Sequence, residues 1–241
     1  MNYEEVLGEL CALPGPSGFE GQAARAGAEL LKPWMDKAAV DPMGNVVAVR
    51  RCGRPNAPKL LLDAHLDEIG FMITGHEDGY CRIAPLGGVD PRMLPDRELV
   101  VLAREPVVGV VACLPPHIQT QADFDRAIPI RELYLDVGMS QEEAQARIPV
   151  GTPAVYRAGC APLGEKYLCG KALDDRACFA VLADAAEQLK DETLDVDLYI
   201  LGSTQEETHS TGAITAAYGI VPQMCVAVDV THGDSPDASK E

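Results

Sequence analysis

The 241-residue chain is long enough for one large domain or two modest ones, and it can bury a substantial core. Hydrophobic residues make up 47% of it and aromatic residues only 5%, so we expect a core of Val, Leu, Ile and Ala. Its 20 basic and 37 acidic residues give a formal charge of −17, which disfavours nucleic acid and anionic membranes as partners.

The N-terminal stretch MNYEEVLGELCALPG has acidic residues where a secretory signal peptide has Lys or Arg. No apolar run is long enough to predict a transmembrane helix. The eight cysteines contain no CxxC pair, which is typical of reduced, mostly buried thiols. We therefore expect a cytoplasmic protein.

The first 70 residues predict alternating helices and strands. A helix over residues 3–12 is ended by PGPSG, and Ser17 is predicted to cap a second helix from Phe19 to Trp34. The segment DPMGN predicts a turn leading into the strand VVAVR. The continuous apolar run KLLLDA is typical of a central strand that is covered on both faces.

Residues 71–164 have a different pattern. Short β-type runs such as GFMIT, YCRIA and PVVGVVACL alternate with Gly and Pro turns, which favours a small all-β barrel or sandwich. One helical segment at 140–147 interrupts them, with Ser140 and Glu143 placed as a capping box.

After residue 165 the α/β pattern returns, with a helix over 174–190, the strand VDLYILGS, a helix near 211–218 and the strand MCVAVDV. The fold class predicted is therefore α/β, a doubly wound mixed sheet with an inserted all-β domain. We expect residues 1–70 and 165–241 to form the first domain and residues 71–164 the insertion.

Polar clusters follow three of the predicted apolar strands and also begin one helix. In a doubly wound sheet, the carboxyl ends of parallel strands meet at one edge, where ligands bind. The clusters are His65, Asp67 and Glu68 after KLLLDA; Glu206 and Glu207 after VDLYILGS; Asp229 and Asp234 in MCVAVDVTHGD; and Asp174 and Asp175 in GKALDDR.

Taken singly, each cluster has an ordinary structural explanation, such as a helix cap, a solvated turn or a core histidine. Together, one histidine and several carboxylates would repel one another unless divalent cations neutralised them, and Zn, Co or Mn suit this mixed N/O set better than Mg. We interpret Glu207 as a metal ligand and Glu206 as the general base. Asp67 is expected to accept the free ring N–H of His65.

The ordered motifs HLDEIGFM, GGVDP, VVGVVACLPPH, LYLDVG, GKALDDR, STQEE, TGA and VAVDVTHGD resemble those of the M42 cocatalytic metallo-aminopeptidases, the tetrahedral and glutamyl aminopeptidases. The resemblance runs along essentially the whole chain. It implies a phosphorylase/hydrolase-like aminopeptidase domain in which the β insertion after residue 70 serves dimerisation.

The resemblance also implies two divalent metal ions, with Zn or Co expected first and Mn as a further candidate. By this resemblance Asp174 would bridge both ions, and His65 and Asp229 would complete the first. Glu207 and a histidine near the family's carboxyl terminus would complete the second.

The same resemblance makes Glu206 the general base and Asp67 the acid behind the first histidine. It implies removal of amino-terminal residues from short peptide substrates by cytosolic homo-oligomers, either dimers or dodecamers assembled from them.

One departure from the family pattern concerns the second metal. After Asp229 the only histidine is His232, which is too near in sequence to replace the late ligand. We therefore expect either a fragment of a longer chain or a truncated homologue. The alternative function is a non-catalytic homologue that binds one metal or none and acts only in assembly.

Two further interpretations remain. A glycosidase that uses paired carboxylates would leave His65, Asp174 and Asp229 without a role, and the chain has one Trp to offer as a sugar platform. His209 follows the glutamates in an unusual THST segment, and we expect it to be a solvated loop residue.

Overall fold

A five-stranded mixed sheet forms the centre of the α/β part of the chain. The computed structural model describes residues 1–119 and 127–233, so Asp234 and the remaining tail lie outside the described residues. In spatial order the strands are Lys37–Val40 (β1), Val46–Arg50 (β2), Asp197–Ser203 (β12), Lys59–His65 (β3) and Met224–Ala227 (β13).

Strand β3 lies in the sheet as the KLLLDA run predicts, with a parallel neighbour on each side. β12 pairs with it in the register Ser203 to His65, and β13 pairs with it in the register Ala227 to Asp63. The β1–β2 hairpin extends the sheet in the antiparallel direction beyond β12. The carboxyl ends of three parallel strands therefore meet at one edge.

Helices pack on both faces of this sheet, which confirms the doubly wound arrangement. One face packs against a cluster that includes Leu31, Phe179 and Leu182, and the other against Ala216 and Ile220. The helices are Tyr3–Ala12 (α1), Gly21–Leu31 (α2), Gln141–Arg147 (α3), Leu173–Gln188 (α4), Glu206–His209 (α5) and Thr211–Ile220 (α6). Among the described residues, none of the helices is both long and apolar enough to cross a bilayer.

Six strands close into a barrel, which decides between the two β architectures that the sequence allows. Alternating inward side chains such as Phe71, Leu99, Val111 and Leu135 fill it. The strands are Gly70–Glu77 (β4), Tyr80–Leu86 (β5), Glu98–Val101 (β6), Val107–Ala112 (β7), Tyr134–Asp136 (β8) and Pro153–Tyr156 (β9), in the order β4–β5–β8–β7–β6–β9.

Two shorter elements complete the description of this region. Helix α3 begins with the predicted capping box, in which the Ser140 hydroxyl accepts the Glu143 amide and the Glu143 carboxylate accepts the Ser140 amide. A two-stranded hairpin, Cys160–Leu163 (β10) with Tyr167–Gly170 (β11), leads back to the central sheet.

The second helix differs from its prediction at both ends. α2 ends at Leu31, and Lys32 still has helical dihedral angles (φ −51°, ψ −40°); the next residue, Pro33, has no amide N–H with which to continue the helical hydrogen bonds. At its start Ser17 does not act as the cap. Its amide donates to the Glu68 carbonyl and its hydroxyl pairs with that of Thr208 at 3.0 Å.

The cysteine prediction holds in part. All eight thiols are free, but only Cys11 and Cys81 are buried, and Cys169 and Cys225 are exposed. The expectation of mostly buried thiols is therefore wrong, because strands β11 and β13 carry cysteines on surfaces that face solvent.

Candidate metal centre

The predicted polar residues converge at the carboxyl edge of the sheet. Two overlapping groups have ligand atoms within 4.8 Å of one another: His65 with Asp174 and Glu207, and His65 with Asp175 and Asp229. His65 ends β3, while Glu207 follows β12 and Asp229 follows β13. The parallel strand order thus brings together residues that are up to 164 positions apart.

His65 is held in one orientation by its surroundings. Its Nδ1 lies 3.2 Å from the Asp67 carbonyl oxygen and 3.4 Å from the Asp67 Oδ1, both of which only accept hydrogen bonds. Nδ1 must therefore carry a proton, and Nε2 is the ring nitrogen that a metal ion would take after displacing its proton. Nε2 lies 3.0 Å from Asp174 Oδ1 and 3.9 Å from Glu206 Oε2.

The loop that carries the two glutamates is held by its backbone. Each of the four amides of residues 204–207 donates to a buried side chain. Asn45 accepts the first at 3.0 Å and Glu20 the second at 3.0 Å. Asp67 accepts the third at 3.0 Å on Oδ1 and the fourth at 3.1 Å on Oδ2. This loop is therefore positioned before any ligand binds.

Asp67 thus has a broader part than the sequence predicts. Besides facing His65, its fully buried carboxylate uses both oxygens to fix the backbone of Glu206 and Glu207. Glu20 and Asn45 share this task and were not among the predicted site residues. Glu20 is 4% exposed and Asn45 is 0% exposed. This burial results from tertiary packing and is not indicated by any local motif.

The electrostatics of the cluster favour cation binding. Burial, assisted by Asp174, Asp67 and Glu206, raises the pKa of Glu207 to about 7 against the opposing effect of His65. Burial disfavours a charge on His65, but its hydrogen bond to Asp67 and the surrounding carboxylates raise its pKa to about 10. The carboxylates thus resist ionising side by side, and a positive partner is strongly favoured.

Asp175 supplies the clearest structural sign that metal ligands are present. It is fully buried and neither of its carboxylate oxygens has a hydrogen-bond partner. Burial raises its pKa to about 6, and the Cys178 thiol offsets part of the shift without lying in hydrogen-bond geometry. Buried unpaired carboxylates are costly unless they bind a cation, so the residues present fit divalent metal ions.

The two adjacent aspartates divide between the two groups. Asp174 is largely exposed, sits with Glu207, and is joined to Asp175 by a cis peptide bond. Asp229, which is predicted to share an ion with Asp174, forms one of the groups together with His65 and Asp175. Asp229 is exposed and its Oδ1 accepts the neighbouring Val230 amide at 2.8 Å. His209 is exposed, as predicted, but it ends the short helix α5 rather than lying in a loop.

A cavity of about 530 Å³ adjoins the cluster, and Asp174 and Glu207 form part of its wall. The GGVDP loop contributes to this wall at Gly88, and Gly87 approaches Glu207 so closely that a Cβ there would lie 3.1 Å from the Glu207 Cβ. Gly87 also has a φ of +89°, so both its conformation and its space require glycine.

These features place the chain among α/β proteins with a cluster of potential metal ligands at the carboxyl edge of a sheet. The profile of the M42 glutamyl aminopeptidase family matches residues 44–241. The chain belongs to the M42 peptidase family.

Similar proteins support this assignment. A lysyl aminopeptidase of Pyrococcus furiosus is 34% identical over 97% of this chain and 68% of its own length. The solved structure of an aminopeptidase from Desulfurococcus kamchatkensis is 38% identical with a TM-score of 0.89, over 99% of this chain and 66% of that one. The TET1 peptidase of Pyrococcus horikoshii, described as able to assemble into a tetrahedron or a large octahedral shell, is 31% identical with a TM-score of 0.86, over 99% and 72%. The chain thus spans about two thirds of the length of these relatives.

Proposed function

We propose that this protein is a metal-dependent aminopeptidase that hydrolyses the amino-terminal residue from peptides. The observation that carries the proposal is the juxtaposition of one histidine and several carboxylates with Glu206, whose Oε2 lies 3.9 Å from His65 Nε2. In the described part of the chain, Glu206 belongs to neither group of potential ligands. It is therefore free to move a proton.

The proposed ligands are His65, Asp174, Glu207 and Asp229, with Asp175 added from its burial and unpaired oxygens. We propose two divalent ions, Zn or Co, with Mn as a further candidate. When bound, such ions polarise the scissile carbonyl and make water more acidic.

The protein's own residues are assigned the remaining tasks. Glu206 accepts a proton from the attacking water and returns it to the amine nitrogen that leaves, because its carboxylate is half exposed beside the cluster. Asp67 orients His65 and fixes the backbone on which Glu206 and Glu207 stand. The cavity beside Asp174 and Glu207 gives room for the side chain of the first residue of the peptide.

The test combines metal analysis with catalysis. After dialysis against trace zinc or cobalt, we expect bound metal and release of the first residue from a panel of aminoacyl substrates. Glu206→Gln should lower turnover by at least about a hundredfold, the size of a general-base contribution, while metal content stays within error of the native chain. If Glu206→Gln turns over at the native rate, Glu206 is not the base.

The alternative function, assembly without catalysis, is distinguished by the same experiment. A chain that binds one ion or none and releases no amino acid from any substrate would support it. The geometry weakens the glycosidase alternative, because His65 belongs to both sets of potential metal ligands and would have no role in glycoside cleavage.

We also propose that residues 71–164 form a dimerisation domain and that residues 1–70 and 165–241 form the catalytic one. On the outer face of the barrel, Val108 and Val110 of β7 are 43% and 40% exposed, which suits a protein interface. The assemblies described for the Pyrococcus horikoshii relative support a homo-oligomer, a dimer or a dodecamer built from dimers. Eight free thiols suit a cytoplasmic location.

A further inference from the structure

Three buried charged side chains lie beneath the metal centre without belonging to it. Glu68, Lys171 and Arg176 have side chains that are 2%, 7% and 0% exposed. None of them is among the potential ligands, and the chemistry proposed for Glu206 does not use them. Each nevertheless stands within three residues of a ligand along the chain.

Lys171 is fully occupied by its contacts. Its Nζ donates to both carboxylate oxygens of Glu68, at 2.8 and 3.0 Å, and to the Leu13 carbonyl at 3.0 Å. An ammonium group has three protons, so none is left for a substrate, although Lys171 lines the cavity. The role of Lys171 is therefore to hold other parts of the protein.

Arg176 makes a second set of links to the same segments. Its Nε donates to the Leu66 carbonyl at 3.0 Å, and its Nη1 donates to the carbonyls of Leu10 and Leu13 at 2.6 Å each. Its Nη2 lies 3.5 Å from Glu68 Oε1, outside hydrogen-bond geometry.

The backbone at Gly15 leaves the space that the Arg176 guanidinium occupies. A Cβ on Gly15 would lie 2.6 Å from Arg176 Nη2, so the guanidinium requires a glycine there. The Gly15 amide donates to Glu68 Oε1 at 3.0 Å, and the Gly15 carbonyl accepts the Glu68 amide at 3.0 Å. The segment PGPSG is thus held against both Glu68 and Arg176.

Stability alone is a poor explanation for these three charges. Burying ions carries a large desolvation cost, and well-packed hydrophobic residues often serve a core equally well or better. What the ions add is a specific geometry between two segments. Glu68 lies three residues after His65, which ends β3, whereas Lys171 and Arg176 flank Asp174 and Asp175 at the start of α4.

We propose that Glu68, Lys171 and Arg176 form an ionic clamp that sets the distance between the end of β3, which carries His65, and the start of α4, which carries Asp174 and Asp175, and so tunes the affinity of the metal centre. This inference rests on the proposed function, because it assumes that the cluster binds metal. The clamp residues are positioning residues, since they act through the ligands. Asp67 then fixes the backbone of Glu206 and Glu207, and Glu68 fixes the segment that carries Asp174 and Asp175.

The test measures metal affinity and stability separately. We would titrate the native 241-residue chain and Lys171→Met with Co²⁺, following the visible absorption of the bound ion, and record thermal unfolding of the metal-free proteins. Lys171→Met is expected to weaken Co²⁺ binding by about 10–100-fold and to alter the Co²⁺ spectrum, as loss of an outer contact to metal ligands does.

A double variant separates positioning from simple destabilisation. Lys171→Met leaves the buried Glu68 carboxylate with only Arg176 Nη2, 3.5 Å away, as a positive neighbour, whereas Glu68→Gln with Lys171→Met removes both charges of the closer pair. We expect the double variant to recover most of the lost stability but not the native Co²⁺ affinity. If affinity recovers together with stability, or if the double variant no longer folds, the role is structural and the clamp is refuted.

Arg51→Met is the control, because it removes an ion pair with the largely buried Asp197 at the amino end of β12, opposite to the end at which His65 lies. It should change stability and leave Co²⁺ affinity unchanged. If the native chain takes up no metal, the proposed function fails and the clamp fails with it. If the native chain binds metal and Lys171→Met binds it equally well, the clamp alone fails.

Discussion

Replacing Asp67 by asparagine should weaken the site far more than its near-isosteric shape suggests. The carboxylate uses Oδ1 for the Glu206 amide and Oδ2 for the Glu207 amide, both in a fully buried setting. An asparagine side chain keeps one acceptor but turns an amide donor toward the other backbone N–H. One charge-assisted hydrogen bond is lost and one buried amide is left unpaired.

The magnitude follows from these two losses. A hydrogen bond to a charged group contributes about 1.5–3 kcal/mol, and an unpaired buried amide costs about 1–3 kcal/mol. Because the two terms overlap, we expect Asp67→Asn to lower the free energy of unfolding of the metal-free protein by about 3 kcal/mol. With a urea dependence of roughly 3 kcal/mol per molar, the unfolding midpoint falls by about 1 M.

Glu20→Gln provides the control. The amides of Gly18 and Gln205 both donate to the same oxygen, Glu20 Oε1, so a glutamine can keep both bonds. Burial also raises the pKa of Glu20, so a neutral amide removes part of the cost of burying its charge. We expect Glu20→Gln to change stability by no more than about 1 kcal/mol, the loss of charge assistance.

The assay is urea unfolding in a chelator, followed by Co²⁺ titration of each folded variant. Asp67→Asn should also weaken Co²⁺ binding, since His65 loses the carboxylate that faces its Nδ1. Equal unfolding midpoints for the two variants would refute the assignment of both Asp67 oxygens to backbone amides.

Two further predictions concern the barrel and the thiols. Val110→Glu places a charge on the exposed face of β7 and should shift the proposed oligomer toward smaller species in sedimentation velocity. Val181→Glu on α4, 47% exposed, should not. An unchanged distribution for Val110→Glu would exclude this face as the interface. Burial raises the pKa of Cys81 from 9.0 to about 11. At pH 8 its labelling by iodoacetamide, measured by peptide mass spectrometry, should therefore be at least about a hundredfold slower than that of the exposed Cys169. Equal labelling rates would contradict the buried placement of Cys81.

Much of the fold could be predicted because its signals are local. The run KLLLDA indicates a strand covered on both faces, and Ser140 with Glu143 indicates a helix start, since each depends on neighbouring side chains and hydrogen bonds. The end of α2 was predicted too late, although Pro33 gave a local signal for it. Whether the β segment closes into a barrel depends on pairing between β4 and β9, about 80 residues apart, which no short stretch encodes.

The order of the elements and the residue types at the strand ends follow from the sequence, because apolar periodicity and parallel topology place His65, Glu207 and Asp229 at one edge. How those residues are held depends on the folded structure. It paired Lys171 with Glu68 across 103 positions and gave Asp67 both amides of the glutamate loop. It also buried Asp175 beside Asp229 while leaving Asp174 exposed. Burial and unpaired oxygens arise only when distant segments exclude water together, so they become visible only in the folded chain.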